Sequence, residues 1–144
     1  MRPYCLEFLK AVSQHYEVYI FTASNEDYAQ AAMRFLNESS PTITGSLSRE
    51  SCLRTSLGIY IKDIMRITNR MPHQMLLVDN LAYSFGHMID NGIPVVEFIG
   101  DQSDKELPFL EKYLIECAKH EDLMKFNREH LKLRNIVEHL GKYF

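Results

Sequence analysis

Apolar stretches suited to β-strands alternate with helical stretches along the chain, and this order constrains the fold more than any other feature. Residues 16–21, YEVYIF, are rich in β-forming residues and lead into an amphipathic helical segment. Residues 74–80, QMLLVDN, form an apolar run ended by an acid, which is typical of a central parallel strand. The alternation predicts an α/β domain with a parallel sheet, in which ligands bind beyond the carboxyl ends of the strands.

Helices are expected between and after these strands. The helix that follows YEVYIF is predicted to begin at an N-cap pair of Ser24 and Asp27 and to direct an apolar face that includes Tyr28 and Phe35 inward. Further helices are expected over residues 3–15, 64–70, 104–117 and 122–140. The turn-rich segment 37–51, NESSPTITGSLSRES, predicts a surface loop.

Composition and charge argue against several functional classes. A length of 144 residues suits one domain, and a net charge of -3 gives no reason to expect binding to nucleic acid. No apolar run approaches the roughly 20 residues that a membrane span requires. The 3 cysteines are widely spaced and form no CxxC pair, which favours reduced thiols and argues against a zinc site.

Polar side chains lie where the two clearest strands are predicted to end. Thr22 follows the first strand, Asp79 and Asn80 end the second, and Lys62 lies between them in the segment YIKDI. A hydroxyl at a helix N-terminus and an ammonium group suit a phosphate or a carboxylate, whereas an acid followed by an amide suits Mg²⁺. Each residue also has a plainer interpretation as a cap or a solvated surface group. Their order along the chain is more informative than any one of them.

Five motifs, taken in order, resemble the small C-terminal-domain phosphatases of the haloacid-dehalogenase superfamily, which are also called NLI-interacting-factor-like phosphatases. The motifs are RPYCLEFLKAVSQHYEVYIFTAS, RESC, YIKDI, LLVDN, and NGIPV followed by GDQSDKEL. The resemblance extends from Arg2 to about Leu114. The resemblance implies a Rossmann-like, doubly wound parallel sheet. It implies Mg²⁺-dependent dephosphorylation of phosphoserine or phosphothreonine through an aspartyl-phosphate. It also implies a phosphatase core over residues 1–118 and a helical extension over residues 119–144.

The same resemblance implies a role for five residues. Thr22 would hold the phosphoryl oxygens, Lys62 would stabilise their charge, and Asp79 would orient Lys62. Arg49, in RESC, matches an arginine near the substrate phosphate, and Asn80 would help to hold Mg²⁺. These groups position and neutralise a phosphate, which is most of what phosphoryl transfer requires.

One motif of the resembled family is not found in the 144 residues. The family carries its nucleophile in an Asp-x-Asp-x-Thr motif that ends a first strand, upstream of the RP helix and between the strands equivalent to VYIF and LLVD. We therefore expect a strand from an upstream segment, a separate polypeptide or a neighbouring copy to fill that slot. The sequence leaves open a fragment of an active phosphatase, a split gene, and a pseudo-phosphatase that binds without catalysing.

The alternatives imply different partners and locations. A phosphatase would act on a phosphoprotein in the nucleus or cytoplasm, with Mg²⁺ bound weakly while the aspartates of that motif are absent. A pseudo-phosphatase would be the binding subunit of a larger assembly, similar to the receptor subunit of the mitochondrial inner-membrane translocase, and would bind a protein partner. Neither interpretation involves nucleic acid or a membrane span.

Overall fold

A computed structural model describes residues 1–141 and confirms the α/β class. The helices are α1 (Cys5–Val12), α2 (Glu26–Asn37), α3 (Glu106–Cys117), α4 (Leu123–Leu131) and α5 (Leu133–Gly141). The strands are β1 (Val18–Phe21), β2 (Ile43–Leu47), β3 (Cys52–Arg54), β4 (Tyr60–Lys62), β5 (Leu77–Asp79) and β6 (Gly92–Pro94). Short 3₁₀ helices cover Arg49–Ser51, Ile64–Arg66, Pro72–Gln74, Ala82–Phe85 and Ile89–Asn91. No helix within the described range has both the length and the apolar composition needed to cross a bilayer.

The strands of the described residues form three separate pairs. β1 lies parallel to β2, and β5 lies parallel to β6, whereas β3 and β4 form an antiparallel hairpin. The β5–β6 pair requires glycine at position 92, because a Cβ there would lie 2.1 Å from the Phe85 ring. Within residues 1–141 no strand joins β1 to β5, so the two parallel pairs remain separate.

Two apolar clusters of the described residues lie on opposite faces of β5, and a third, of Cys117, Leu123 and Phe126, joins α3 to α4. The α1–α3 cluster consists of Val12, Ile93, Leu110 and Leu114, and Leu76 and Val78 pack against it. The Phe85 cluster consists of Ile64, Met75, Leu77 and Phe85. Because successive strand residues point to opposite faces, β5 separates the two clusters.

A buried asparagine ties α4 to the beginning of β6. The Asn127 side chain is 1% exposed, and its Nδ2 donates hydrogen bonds to the carbonyls of Asp90 (2.9 Å) and Gly92 (2.8 Å). Its Oδ1 accepts a hydrogen bond from the Tyr113 hydroxyl (2.8 Å). α4 is therefore bonded to both α3 and the sheet.

Two predicted elements differ in the structure. The segment 37–51 was expected to be a loop, but Ile43–Leu47 forms β2 and pairs with β1. The single helix expected over residues 122–140 is two helices, because Lys132 adopts a left-handed conformation (φ 54°) that ends α4. The Leu140 side chain and residues 142–144, at the end of the proposed 119–144 extension, lie outside the description.

Two further predictions concern helix ends and faces. α2 is capped by Asn25, whose Oδ1 accepts a hydrogen bond from the Tyr28 backbone N–H (2.9 Å), rather than by Ser24. Tyr28 and Phe35, expected to point inward, are 60% and 61% exposed, and α2 buries Ala29 instead. The helix expected over residues 64–70 is only a 3₁₀ turn.

Candidate functional site

Lys62 and Asp79 meet where β4 and β5 end. The Lys62 Nζ donates a hydrogen bond to Asp79 Oδ2 and forms a salt bridge with it. The two side chains are only 16% and 4% exposed. Asp79 Oδ1 accepts a hydrogen bond from the Leu81 backbone N–H (2.8 Å). Both carboxylate oxygens are therefore occupied, and the pair holds the ammonium group of Lys62 in a defined position.

Thr22 lies directly after β1. Its backbone N–H donates to the Leu47 carbonyl (2.9 Å), and its Oγ1 accepts from the Ser24 backbone N–H (3.1 Å). The second contact fixes the side chain in the turn that leads to α2. Within the described residues no acceptor is found for the Thr22 hydroxyl proton. That proton can therefore be donated to an oxygen ligand.

Arg49 is held beside Thr22 by two contacts. Its Nε donates a hydrogen bond to the Ala23 carbonyl (2.8 Å), and its guanidinium lies 5.5 Å from the centre of the Tyr60 ring. The guanidinium of Arg54 lies 5.9 Å from the same ring. Both distances are in the range of cation–π contacts. Tyr60 therefore helps to keep two positive charges at this edge of the molecule.

Sequence reasoning did not identify Arg54 or Tyr60 as site residues. The two lie opposite each other in the β3–β4 hairpin, and residues opposite each other in an antiparallel pair share a face. The signal that would have found them is the register of this hairpin, which the sequence pattern did not provide.

A cavity of about 310 Å³ lies beside Lys62. It is lined by residues before β4 and within it, by one residue after β1 and by three after β5: Ala23, Gly58, Ile59, Tyr60, Lys62, Leu81, Tyr83 and Ser84. Its volume is at the lower end of the range for small-molecule sites. The cavity adjoins the Lys62 ammonium group, so a small anionic group could approach it from solvent.

Cys52 lies between Thr22 and Lys62 and contacts the first of them. Its Sγ lies 4.0 Å from the Thr22 carbonyl oxygen, and Cys52 lies opposite Lys62 in the hairpin. Burial raises the pKa of the Cys52 thiol, although the positive charges of Lys62 and Arg49 act in the opposite direction. The thiol is therefore protonated at neutral pH, which argues against a nucleophilic role.

The residues present do not form a complete Mg²⁺ site. Mg²⁺ requires nearly octahedral oxygen coordination, usually including carboxylates. Both oxygens of Asp79 are already occupied, and residues 1–141 contain no group of three or more His, Cys, Asp or Glu side chains placed to hold a metal. Asn80 is exposed and could supply one amide oxygen.

The predicted site residues are thus connected through a short series of contacts. Arg49 donates a hydrogen bond to Ala23, which follows Thr22, and the Thr22 carbonyl contacts Cys52. Cys52 lies opposite Lys62 in the hairpin. Lys62 bonds to Asp79, which precedes Asn80. The arrangement provides a hydroxyl and two cationic groups for an anion. No carboxylate with an unoccupied oxygen has been identified at its centre among the described residues.

Comparison with known proteins identifies relatives over most of the chain. A sequence profile of the family described as NLI interacting factor-like phosphatase matches residues 1–124. CTD small phosphatase-like protein 2 of Dictyostelium discoideum is 37% identical over 136 residues, which are 94% of this chain and 24% of that protein. Carboxy-terminal domain RNA polymerase II polypeptide A small phosphatase 1 of Homo sapiens is 30% identical over 128 residues, which are 89% of this chain and 48% of that protein. The chain therefore spans less than half the length of these relatives.

A solved structure supports the fold. A fission yeast RNA polymerase II CTD phosphatase, a variant of Fcp1 bound to beryllium fluoride, matches with a TM-score of 0.57 at 17% identity. The match covers 96% of this chain and 40% of that one. At this identity the similarity concerns the fold alone, and it agrees with the α/β architecture described above.

Proposed function

We propose, since this chain belongs to the NLI interacting factor-like phosphatase family, that it forms the phosphate-binding part of a phosphoserine or phosphothreonine protein phosphatase. The observation that carries the proposal is the buried Lys62–Asp79 pair, which holds an ammonium group at a solvent-accessible cavity. Phosphoryl transfer requires mainly positioning and charge neutralisation, and this pair is suited to both.

In this proposal each site residue has a separate task. Lys62 binds the phosphoryl oxygens by charge, Thr22 donates its hydroxyl proton to one of them, and Arg49 binds the outer side of the phosphate. Asp79 is a positioning residue, because its contact with Lys62 leaves no oxygen for the substrate. Asn80 would supply one oxygen to Mg²⁺, whose carboxylate ligands come from outside the described residues.

Covalent catalysis needs an attacking carboxylate that these residues do not present. None of the seven aspartates of the chain lies in an Asp-x-Asp-x-Thr motif, and Asp79 is committed to Lys62. We infer that one aspartate of an additional Asp-x-Asp-x-Thr strand attacks the phosphorus while the P–O bond to the serine or threonine oxygen breaks and the other aspartate protonates that oxygen. Water then hydrolyses the aspartyl-phosphate and releases inorganic phosphate, and Lys62 and Thr22 bind the equatorial oxygens in both steps.

The relatives suggest the substrate class. The name of the human relative refers to the carboxy-terminal domain of RNA polymerase II, and the name of the Dictyostelium relative carries the abbreviation CTD. We propose a phosphorylated protein tail of that kind as the substrate and the nucleus as the location. Neither relative bears a mitochondrial name.

The first experiment measures hydrolysis of para-nitrophenyl phosphate with Mg²⁺, for residues 1–144 alone and for the chain extended by an apolar strand ending in Asp-x-Asp-x-Thr. We expect no turnover from the chain alone and turnover from the extended protein. Lys62→Ala is expected to reduce that turnover by about 100-fold or more, the usual effect of removing one charge-stabilising donor. Asn80→Ala should reduce it as well, and Lys119→Ala, which removes an exposed lysine, serves as the control.

A second candidate function is phosphate recognition without catalysis, as a subunit of an assembly. It is favoured by the absence of a carboxylate with a free oxygen at the centre of the described site. This function predicts a partner that co-purifies under native conditions and remains bound after Asp79→Asn. A folded, extended protein that binds a phosphoserine peptide but hydrolyses nothing would refute the enzyme and support this alternative.

A further inference from the structure

Arg54 lies on the face of the β3–β4 hairpin that meets the candidate site. In this hairpin Cys52 lies opposite Lys62, and Arg54 lies opposite Tyr60. Residues two apart on a strand share a face, and so do residues opposite each other in an antiparallel pair. Arg54 and Tyr60 therefore share a face with Lys62, which bonds to Asp79 at the centre of the site.

The guanidinium group of Arg54 lies at the edge of the cavity beside Lys62. Its Cζ is 5.9 Å from the centre of the Tyr60 ring, and its Nη2 is 3.8 Å from the point that a Cβ on Gly58 would occupy. Both Tyr60 and Gly58 line that cavity. The guanidinium group is therefore next to the space from which an anionic ligand could approach Lys62.

The positive charge of Arg54 is not neutralised by an acid of the described residues. Among them, its guanidinium group has neither a hydrogen-bond acceptor nor an acidic partner, and its contact is with the Tyr60 ring. Arg2, Arg70 and Arg134, by contrast, each form an ion pair with a carboxylate. Arg54 is also exposed, so its N–H groups are available to a ligand from solvent.

The contact with Tyr60 prepares Arg54 for such a ligand. The ring attracts the cation and restricts a long side chain, which reduces the entropy that is lost when a ligand binds. Arg49 contacts the same ring. Since the guanidinium carbons of Arg49 and Arg54 lie 5.5 and 5.9 Å from the centre of this ring, they are at most about 11 Å apart.

The spacing of these charges fits neighbouring residues of an extended protein tail. Along its own strand Tyr60 lies two positions from Lys62, which is about 7 Å, and Arg54 lies opposite Tyr60. An extended peptide advances by about the same distance in two residues. A tail whose phosphoserine lies at Lys62 would therefore bring a side chain two or three positions away to Arg54.

The chemistry of arginine selects an anionic side chain for that position. A guanidinium group binds phosphate and carboxylate groups through paired N–H donors, which a lysine cannot do. The plainer interpretation is that Arg54 packs on Tyr60 only to stabilise the hairpin. A purely structural residue would affect all peptides alike, whereas an anion-binding residue would distinguish between them.

We propose that Arg54 is a specificity residue that binds a second anionic group, a phosphate or a carboxylate, two or three residues from the phosphoserine of a protein tail. The inference rests on the proposed function, because it requires the phosphoserine to be bound at Lys62, Thr22 and Arg49. It adds a preference for tails that carry more than one anionic group. Arg54 binds away from the reacting phosphate, so it acts on affinity and not on the displacement.

The test titrates residues 1–144 with phosphoserine peptides and follows the arginine Nε–Hε signals by NMR, which also detects weak binding. One peptide carries a single phosphoserine. Others add a second phosphoserine, or a glutamate, two or three residues away on either side. In the comparison peptides the second group is about eight residues away, roughly 27 Å along an extended chain and out of reach of Arg54.

We expect the near second phosphoserine to lower the Kd by about fivefold relative to the distant one, and the near glutamate by about twofold, as for exposed ion pairs. Peptides with near and distant groups have the same charge, so the difference measures position alone. A gain confined to phosphoserine would identify the second group as a phosphate. An equal gain with glutamate would identify it as a carboxylate, and either result supports the proposal.

A matched pair of variants assigns the gain to Arg54. Arg34, in the last turn of α2, is also exposed and has no acidic partner among the described residues. Arg54→Gln is expected to remove the gain and leave the Kd of the singly phosphorylated peptide unchanged, whereas Arg34→Gln should retain the gain. If Arg54→Gln does not fold, the shift of the Arg54 Nε–Hε signal in the unaltered chain decides the result.

Three results would overturn the inference. They are equal binding of peptides with near and distant second groups, a gain that survives Arg54→Gln, and an Arg54 Nε–Hε signal that does not move with the doubly phosphorylated peptide. If the singly phosphorylated peptide binds without any such preference, this inference is rejected and the proposed function stands. If no phosphopeptide binds, the proposed function is rejected, and this inference with it.

Discussion

Replacing Lys62 with methionine should destabilise the fold severely, because it leaves a buried carboxylate without its cation. The Asp79 side chain is 4% exposed. Removing one partner of a buried ion pair costs about 3–5 kcal/mol, against a total stability of about 5–15 kcal/mol for a domain. Asp79 Oδ1 retains its hydrogen bond from the Leu81 N–H (2.8 Å). We therefore expect the lower end of the range, about 3 kcal/mol.

Urea denaturation followed by circular dichroism measures this loss. With a slope of about 2 kcal/mol per molar urea, the Lys62→Met midpoint should fall by about 1.5 M. The control is Lys119→Met. Lys119 and its partner Glu116 are 65% and 53% exposed, so water replaces the lost contact and the midpoint should not change measurably.

A double substitution separates the ion pair from the volume change. Lys62→Met combined with Asp79→Asn leaves two neutral side chains, and the asparagine can still accept the hydrogen bond from Leu81. We expect the double variant to recover at least about 1.5 kcal/mol relative to the sum of the two single losses. Losses that simply add would show that the two groups are not coupled in solution, and the reasoning about the site would fail with them.

Other contacts predict further outcomes. Asn127→Leu leaves two buried carbonyls without their donor and should reduce the free energy of unfolding in urea by about 2–4 kcal/mol. The Arg2 guanidinium holds the pKa of the Asp104 carboxyl below its ordinary 3.8, so the melting temperature should exceed that of Asp104→Asn above about pH 4. That difference should disappear as the pH falls through the lowered value. Burial raises the pKa of both Cys5 and Cys117, the latter to about 11, but Cys5 is partly exposed whereas Cys117 is 0% exposed. Iodoacetamide followed by mass spectrometry should therefore find Cys5 modified in the folded protein and Cys117 modified only after unfolding.

The contradicting results are equally specific. Equal stability of Asn127→Leu and the unaltered chain would mean that α4 is not fixed to the sheet in solution. A stability difference for Asp104→Asn that persists at low pH would assign the effect to packing rather than to charge. Rapid alkylation of Cys117 in the folded protein would show that α3 and α4 open readily.

Two strands that are continuously apolar were predicted from the sequence, whereas β2, which is not, was missed. β1 and β5 were recognised because VYIF and LLV contain no charged or small polar residue. β2 was missed because Gly45 and Ser46 interrupt it. The glycine has a tertiary cause: a Cβ at position 45 would lie 2.8 Å from the Tyr19 ring on the neighbouring strand. Gly45 is required by the contact of β2 with β1, and it interrupts the apolar pattern that would have identified β2 as a strand.

Helix faces were harder to predict than helices. The spacing of Tyr28 and Phe35 correctly indicated an amphipathic α2, but the structure exposes both residues and buries Ala29. Periodicity shows that a helix has two unlike faces, whereas the face that is covered depends on the elements packed against it. Here α2 packs on β2, which the sequence did not predict.

The location of the site was predictable, whereas its supporting contacts were not. The predicted strand ends indicated that Thr22 and Asp79 lie at one edge, the sequence pattern singled out Lys62 between them, and the family resemblance added Arg49. The contact of Tyr60 with two guanidinium groups depends on hairpin register, and that register follows from a turn whose Gly58 adopts a left-handed conformation (φ 78°). Local patterns do not specify such contacts between segments.

The two halves of the site belong to different sheets, and this has a consequence for how they work together. Thr22 follows β1, whereas Asp79 ends β5, and the β3–β4 hairpin connects them through Cys52 and Lys62. Backbone ladders, which resist deformation better than a few side-chain contacts, do not join β1 to β5 within residues 1–141. A phosphate bound by both Thr22 and Lys62 would add a link between β1 and β5. Phosphate binding and a fixed spacing of β1 and β5 should therefore strengthen each other, because each favours the other.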